Sequence, residues 1–214
     1  MMNMSQEFVT GSVVVEHDVS VPVYVVDDDE SVRDSLAFML GGYDINVTNY
    51  AGGQAFLDNA EIMQPGCVIL DSRMPGLRGQ EVQAILTQCH SPLSIIFLTG
   101  HGDVSMAVDA FKSGAVDFLQ KPVDGEKLVQ AITIAAEKSL VRSEQLSALL
   151  SYQSLTEREL DILLLLVQGK RNQQIANDLC IAVRTVEVHR SSLMKKFNAK
   201  TIAELVLQYG LAIN

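Results

Sequence analysis

Val23-Tyr24-Val25-Val26-Asp27-Asp28-Asp29 is a short apolar run that ends abruptly in acids, and Cys67-Val68-Ile69-Leu70-Asp71 repeats the design. A strand with one wet face alternates apolar and polar side chains. These runs do not, so both faces must be covered, as in a parallel sheet flanked by helices. After the first run, Val32, Leu36, Met39 and Leu40 fall at i, i+4, i+7 and i+8, one stripe of a helix. The alternation continues with strands at Ile45 to Tyr50, Ile95 to Leu98 and Val116 to Leu119. Helical patterns fall near Gln54 to Met63, Glu81 to Gln88, Val104 to Lys112, and from Asp124 to about Ala136. Five strands alternating with five helices predict an α/β, doubly wound, five-stranded parallel sheet over residues 21–138.

From Leu155 the strand signal vanishes. Leu160, Leu163, Leu164 and Val167 mark a helix whose start is a capping box, Thr156 with Glu159, and whose end is Gly169. Asn172 to Leu179 and Val183 to Phe197 follow, and Ile202, Leu205, Val206 and Tyr209 share a face of a fourth helix. An all-α four-helix domain is expected over residues 154–214. Residues 139–153, without Gly or Pro and with weakly spaced leucines, read as a partly helical linker. Residues 1–20 read as an extension, either a disordered tail or, at Val13 to Val15, an edge strand.

The chain of 214 residues carries 16 basic and 26 acidic side chains, a net charge of −10. The charge is uneven: residues 1–150 sum to −12 and residues 151–214 to +2. Two halves of opposite sign suggest two domains with different partners. The first Arg or Lys is Arg33, and Glu7, Glu16 and Asp18 precede it, which argues against a secretory signal. Apolar runs such as Leu163 to Val167 fall far short of the roughly 20 residues that span a bilayer. Cys67, Cys89 and Cys180 are odd in number and widely spaced. Free thiols in a reduced cytoplasm follow.

In an open parallel sheet, ligands bind at the carboxyl ends of the strands. There the sequence sets Asp27, Asp28 and Asp29 after the first strand, Asp71 after the third, Thr99 after the fourth and Lys121 after the fifth. Asp27, Asp28 and Asp71 crowd like charges into one crevice, a costly arrangement that Mg²⁺ relieves. The ion keeps room for a phosphate oxygen, so a phosphorylated carboxylate is a natural product here. Lys121 is suited to a second phosphoryl oxygen and Thr99 to a third. Asp29 is better placed to cap the first helix.

Val25-Val26-Asp27-Asp28, Leu70-Asp71-Ser72-Arg73-Met74-Pro75-Gly76, Leu98-Thr99-Gly100-His101-Gly102 and Phe118-Leu119-Gln120-Lys121-Pro122 resemble the receiver domain of two-component response regulators. The resemblance implies that Asp71 accepts phosphate from a sensor histidine kinase. It implies Mg²⁺ on Asp28, Asp71 and the backbone carbonyl of Arg73, with Asp27 assisting through water. It also implies that Thr99 and Phe118 move together on phosphorylation, that Lys121 pairs with the phosphate, and that Arg73 and His101 influence phosphate lifetime. The Lys121-Pro122 bond is one this family commonly holds cis.

In the helical half, two short helices across a tight turn suggest a helix-turn-helix. The second presents Arg184, Glu187, Val188, Ser191 and Lys195 along one outward stripe. Arg184, Arg190, Lys195 and Lys196 suit phosphates, Glu187 a cytosine amino group, Ser191 several base edges and Val188 a thymine methyl. Leu155-Thr156-Glu157-Arg158-Glu159, Asn172 to Ala176 and Arg184-Thr185-Val186-Glu187-Val188-His189-Arg190 resemble the LuxR-type DNA-binding domain. With the receiver this is similar to the NarL/FixJ arrangement of transcription factors. It implies binding to double-stranded DNA, a homodimer when phosphorylated in which the fourth helix takes part, and contact with RNA polymerase. Ala182 stands where a capping side chain is usual, a loss of roughly 1 kcal/mol, with Thr185 the nearest substitute hydroxyl in the DNA-facing set. The opposite charges of the two halves would let the unphosphorylated receiver cover the helix-turn-helix, an attraction that leaves open whether it does so.

A different class competes: Asp27-x-Asp29 after a first strand resembles the nucleophile and acid of haloacid-dehalogenase phosphohydrolases, in which Asp27 takes the phosphate and Asp29 protonates the leaving group.

Overall fold

Alternate residues of each strand point to opposite faces of a sheet, and in the computed structural model, which describes residues 19–100 and 104–213, both faces are buried. Strands β1 (Val23–Val26), β2 (Val47–Tyr50), β3 (Cys67–Leu70), β4 (Ser94–Thr99) and β5 (Asp117–Gln120) are all parallel, in the order β2-β1-β3-β4-β5. Val25, Ile69, Ile96 and Leu98 join a core closed by α1 (Glu30–Gly41) and the start of α5 (Gly125–Gln153). Val26, Val68, Leu70 and Phe97 join a second core closed by α2 (Gly53–Asn59), α3 (Gly79–Gln88) and α4 (Val104–Lys112). The order reverses at β1, so β1 and β3 leave a crevice at their carboxyl ends, the switch point of an open α/β sheet.

Boundaries differ from expectation for local reasons. Ile45 is buried, but its amide is taken by the Leu40 carbonyl in the turn that ends α1, so β2 begins only at Val47. Ala60 is extended, which stops α2 at Asn59 rather than near Met63. Glu81 reaches back to accept from the Arg78 amide, which draws the start of α3 to Gly79. Lys121-Pro122 is cis.

The largest difference lies at residues 139–153. The segment is fully helical, the second half of a single 29-residue helix, α5. Asp124 caps the start by accepting from the Lys127 amide, and no glycine or proline interrupts the helix after Gly125. At its middle, fully buried Ser139 donates to the Pro92 carbonyl and accepts from the Gly66 amide, and Arg142 donates to the Leu93 carbonyl. These bonds satisfy backbone groups just before β3 and β4, at the end of the sheet opposite the acids, so α5 leaves the sheet from a fixed point.

Helices α6 (Glu157–Val167), α7 (Asn172–Asp178), α8 (Val183–Lys196) and α9 (Ile202–Ile213) enclose a third core of Ile162, Leu163, Ile175, Val186, Leu193 and Leu205. Helix α9 packs along the far half of α5, where the rings of Tyr152 and Tyr209 lie 6.0 Å apart. Helix α8 starts after Ala182 without a side-chain cap among the described residues. Val186 and Leu193 of the helix are fully buried. Val13 to Val15, like the rest of residues 1–18, lies outside the described residues.

Gly79 sits where the site meets the sheet: a Cβ there falls 2.4 Å from the Asp71 carbonyl oxygen and 2.9 Å from the Phe97 ring. Neither neighbour gives way cheaply. Gly79→Ala is expected to cost about 1–3 kcal/mol of stability, read as a lower urea midpoint; an unchanged midpoint contradicts this packing.

Candidate functional site

Strand ends and main-chain bonds build the acidic crevice. The Asp71 amide donates to the Val26 carbonyl, and the Asp27 amide to that of Tyr50, so β1 and β3 deliver their acids side by side. Carboxylate oxygens of Asp27, Asp28 and Asp71 all lie within 4.8 Å of one another. Asp27 is buried, Asp71 nearly so, and Asp28 exposed, which leaves the cluster one open side. Lys121, whose amide bonds the Thr99 carbonyl, places Nζ 2.5 Å from Asp27 Oδ2 and 3.4 Å from Asp71 Oδ2. Three crowded carboxylates with hard oxygen donors fit a small divalent cation better than any softer metal.

Burial raises the Asp71 carboxyl above its ordinary value; Lys121 and the Arg73 amide pull the other way, and Asp27 pushes it up again. Burial alone lowers the Lys121 ammonium, but its hydrogen bond to Asp27 and the two carboxylate charges outweigh that, so it is raised and stays charged.

Thr99 is buried, and its Oγ1 accepts from Ser72 Oγ at 2.9 Å. Phe118 is half-buried on β5, its ring 6.1 Å from that of Phe97. Arg73 is exposed beside Asp71, its amide 3.3 Å from Asp71 Oδ1. His101 lies outside the described residues. Asp29 accepts from the Ser31 amide and caps α1, with its side chain exposed. The acid that the phosphohydrolase alternative needs, Asp29, is thus engaged as a helix cap.

Sequence patterning misses two further contributors. Ser72 stands next to Asp71 in the motif, but nothing in its spacing announces that its hydroxyl meets Thr99. Arg33, one turn into α1, holds the Asp27 carbonyl through Nη1 at 2.8 Å.

The second candidate surface is α8. Arg184, Thr185, Val188, Ser191 and Lys195 are exposed and Glu187 half-exposed, so the face expected to meet DNA is open rather than covered by the receiver. The reason is geometric: α5 is one rigid helix, and it is α9, not α8, that lies along it. Arg184 pairs with Glu187 at 3.0 Å, and Arg190 is hydrogen-bonded to Asn172 of α7. Lys196 is engaged inside the domain, 2.7 Å from both Glu159 Oε2 and the Ser154 carbonyl. Burial pushes the Glu159 carboxyl up, but bonds from Lys196, Ser192 and Thr156 win and hold it at about 2.

Two pH dependences follow, of opposite sign. A carboxyl raised by folding costs stability once ionised. With a chelator present, Asp71→Asn is expected to melt above wild type at neutral pH, the difference closing as pH falls through the raised value towards the ordinary carboxylate one and gone below it. A lowered carboxyl does the reverse: the contribution of Glu159 is complete above pH 4.5 and lost as pH falls towards 2. Near-UV circular dichroism of the tyrosines should show Glu159→Gln less stable than wild type at pH 7, with little further change across that window.

Residues 23–133 match the response regulator receiver domain, and residues 153–208 the bacterial regulatory proteins of the luxR family. The chain is 44% identical over 187 residues to the tetrathionate response regulatory protein TtrR of Salmonella typhimurium, covering 87% of this chain and 91% of that protein. It is 41% identical over 197 residues to the transcriptional regulatory protein FixJ of Azorhizobium caulinodans, covering 90% and 93%. Among solved structures it is similar to the response regulator StyR (40% identity, TM-score 0.64, covering 88% of this chain and 98% of that one). Full-length FixJ from B. japonicum is also similar (39% identity, TM-score 0.54, 90% and 97%). These matches leave the phosphohydrolase alternative without support. With an acidic crevice at the switch point and an open helix-turn-helix beyond a long helix, the chain belongs to the two-component response regulators that join a receiver to a LuxR-type DNA-binding domain.

Proposed function

We propose that this chain turns phosphorylation of Asp71 by a sensor histidine kinase into promoter binding, as an activator of tetrathionate-respiration genes. The observation that carries the reading is the crevice itself: one nearly buried carboxylate flanked by two others and facing an ammonium held at 3.4 Å. In the transfer, an Asp71 oxygen forms the new P–O bond as the P–N bond of a kinase phosphohistidine breaks. The residues then act as fixed electrostatics aimed at developing charge. Lys121 exchanges part of its bond to Asp27 for a phosphoryl oxygen, and Thr99 turns its hydroxyl to another. Phe118, half-buried with its ring 6.1 Å from that of Phe97, follows. Asp28, Asp71 and the Arg73 carbonyl would hold Mg²⁺, with Asp27 assisting through water, and the ion would supply positive charge that offsets the crowded acids. Arg73, exposed beside Asp71, and His101 influence how long the phosphate lasts. The chemistry of the receiver in this reading is a self-catalysed gain and loss of phosphate at Asp71.

A conformational bias of a few kcal/mol is enough to shift such a two-state protein. The phosphorylated form pairs as a homodimer and sets two α8 helices in successive major grooves. Arg184, Thr185, Glu187, Val188, Arg190, Ser191 and Lys195 face the DNA, and the bound dimer engages RNA polymerase in the cytoplasm. Tetrathionate enters through the Salmonella relative, 44% identical over most of both chains. No helix among the described residues is long and apolar enough to cross a membrane.

Intact-mass spectrometry after incubation with Mg²⁺ and acetyl phosphate tests the acceptor. One phosphate on wild type and on Asp27→Asn, and none on Asp71→Asn, is expected; a label that survives Asp71→Asn sinks the assignment. Asp71→Asn should also lose the rise in DNA affinity that the phosphodonor gives wild type.

A further inference from the structure

Adjacent lysines close the recognition helix, and they are not equivalent. Lys195 is exposed, whereas the Lys196 side chain is only 28% exposed. Its ammonium donates to Glu159 Oε2 and to the Ser154 carbonyl, both at 2.7 Å, and its own carbonyl accepts from Ser151 Oγ at 2.9 Å. The other oxygen of Glu159, a side chain 6% exposed, accepts from Ser192 Oγ at 2.6 Å, one turn earlier on α8. Thr156 completes the set, with its amide and hydroxyl both on Glu159 Oε2. The last turn of α8 is thus gripped through side chain and backbone by the end of α5 and the start of α6.

To reach a DNA phosphate, Lys196 has to leave Glu159. That strands a buried carboxylate, which costs more than one exposed lysine–phosphate pair returns. The other end of the grip matters as well. Ser151 and Ser154 close the same helix that Ser139 and Arg142 fasten to the receiver.

We propose that Lys196 is a positioning residue for DNA recognition rather than a phosphate-binding one: with Glu159, Ser192 and Ser151 it sets the angle of α8 against α5, and so against the receiver. The proposal rests on α8 as the DNA-reading helix, and its test separates the two. Full-length wild type, Lys195→Met, Lys196→Met, Glu159→Gln and the double variant Glu159→Gln/Lys196→Met are titrated with a duplex selected by wild type from a random-sequence pool. The titrations are repeated with unselected DNA across a salt series.

Removing one lysine that neutralises a DNA phosphate lowers the slope of log affinity against log salt by about 1. Lys195→Met is expected to show a decrease of about that size; an unchanged slope overturns α8 as the DNA-reading helix and the proposal with it. Lys196→Met is expected to keep the wild-type slope while binding the selected duplex about tenfold more weakly, with a smaller effect on unselected DNA. Glu159→Gln and Lys196→Met are expected to be strongly non-additive, the double variant no worse than the poorer single one. A slope reduced in Lys196→Met as in Lys195→Met, or additive effects, overturns the positioning role. If Lys196→Met fails to fold, the double variant, which leaves no unpaired buried charge, carries the slope measurement.

Discussion

Three carboxylates held within 4.8 Å at the end of a buried parallel sheet set the terms for the receiver half. Water cannot screen Asp27 and Asp71 where they sit, so their repulsion has to be met by something built into the fold. Lys121 meets it from the residue after β5, and its amide is fixed on the Thr99 carbonyl of β4. Four strand ends are therefore tied to one charge balance. A phosphoryl group added to Asp71 disturbs all of them at once, which suits a crevice whose task is to report a covalent event rather than to turn over substrate.

The helical half has its own charge centre, with the opposite design. Glu159 is stabilised outright, by Lys196, Ser192 and Thr156, and its low carboxyl value measures how firmly. One centre is poised to change and the other to hold still. Between them runs α5, with its bonds at Ser139 and Arg142 on one side and at Ser151 and Ser154 on the other.

Much of this is legible in the residues. Cys67 to Leu70, ending at Asp71, dictates a doubly covered strand with a reactive group at its tip, and the sheet order only fixes which tips meet. Thr156 and Glu159 announce a capping box, and the structure contains it. What is not legible lies in long-range partners. Glu159 also reaches Ser192 and Lys196, more than thirty residues away, and no periodicity encodes that. Ser72 meeting Thr99 is of the same kind. Residues 139–153 read as less helical than they are because the leucine spacing is weak, yet α9 supplies from outside the packing that spacing alone fails to promise. The open α8 face has the same origin: net charge gives the sign of an attraction but not whether a rigid helix lets the two surfaces meet.

An uninterrupted α5 also makes the distance and the azimuth between the two halves a matter of residue counting. Each residue of an α-helix advances about 1.5 Å and turns about 100°. A single residue inserted or deleted between Arg142 and Ser151 therefore swings the DNA-facing helix to another side of the receiver, while seven residues return it nearly to the original side, about 10 Å further out. A length change in this stretch therefore keeps the two halves facing the same way only in near-heptad steps, as on the shaft of a coiled coil rather than in a tether.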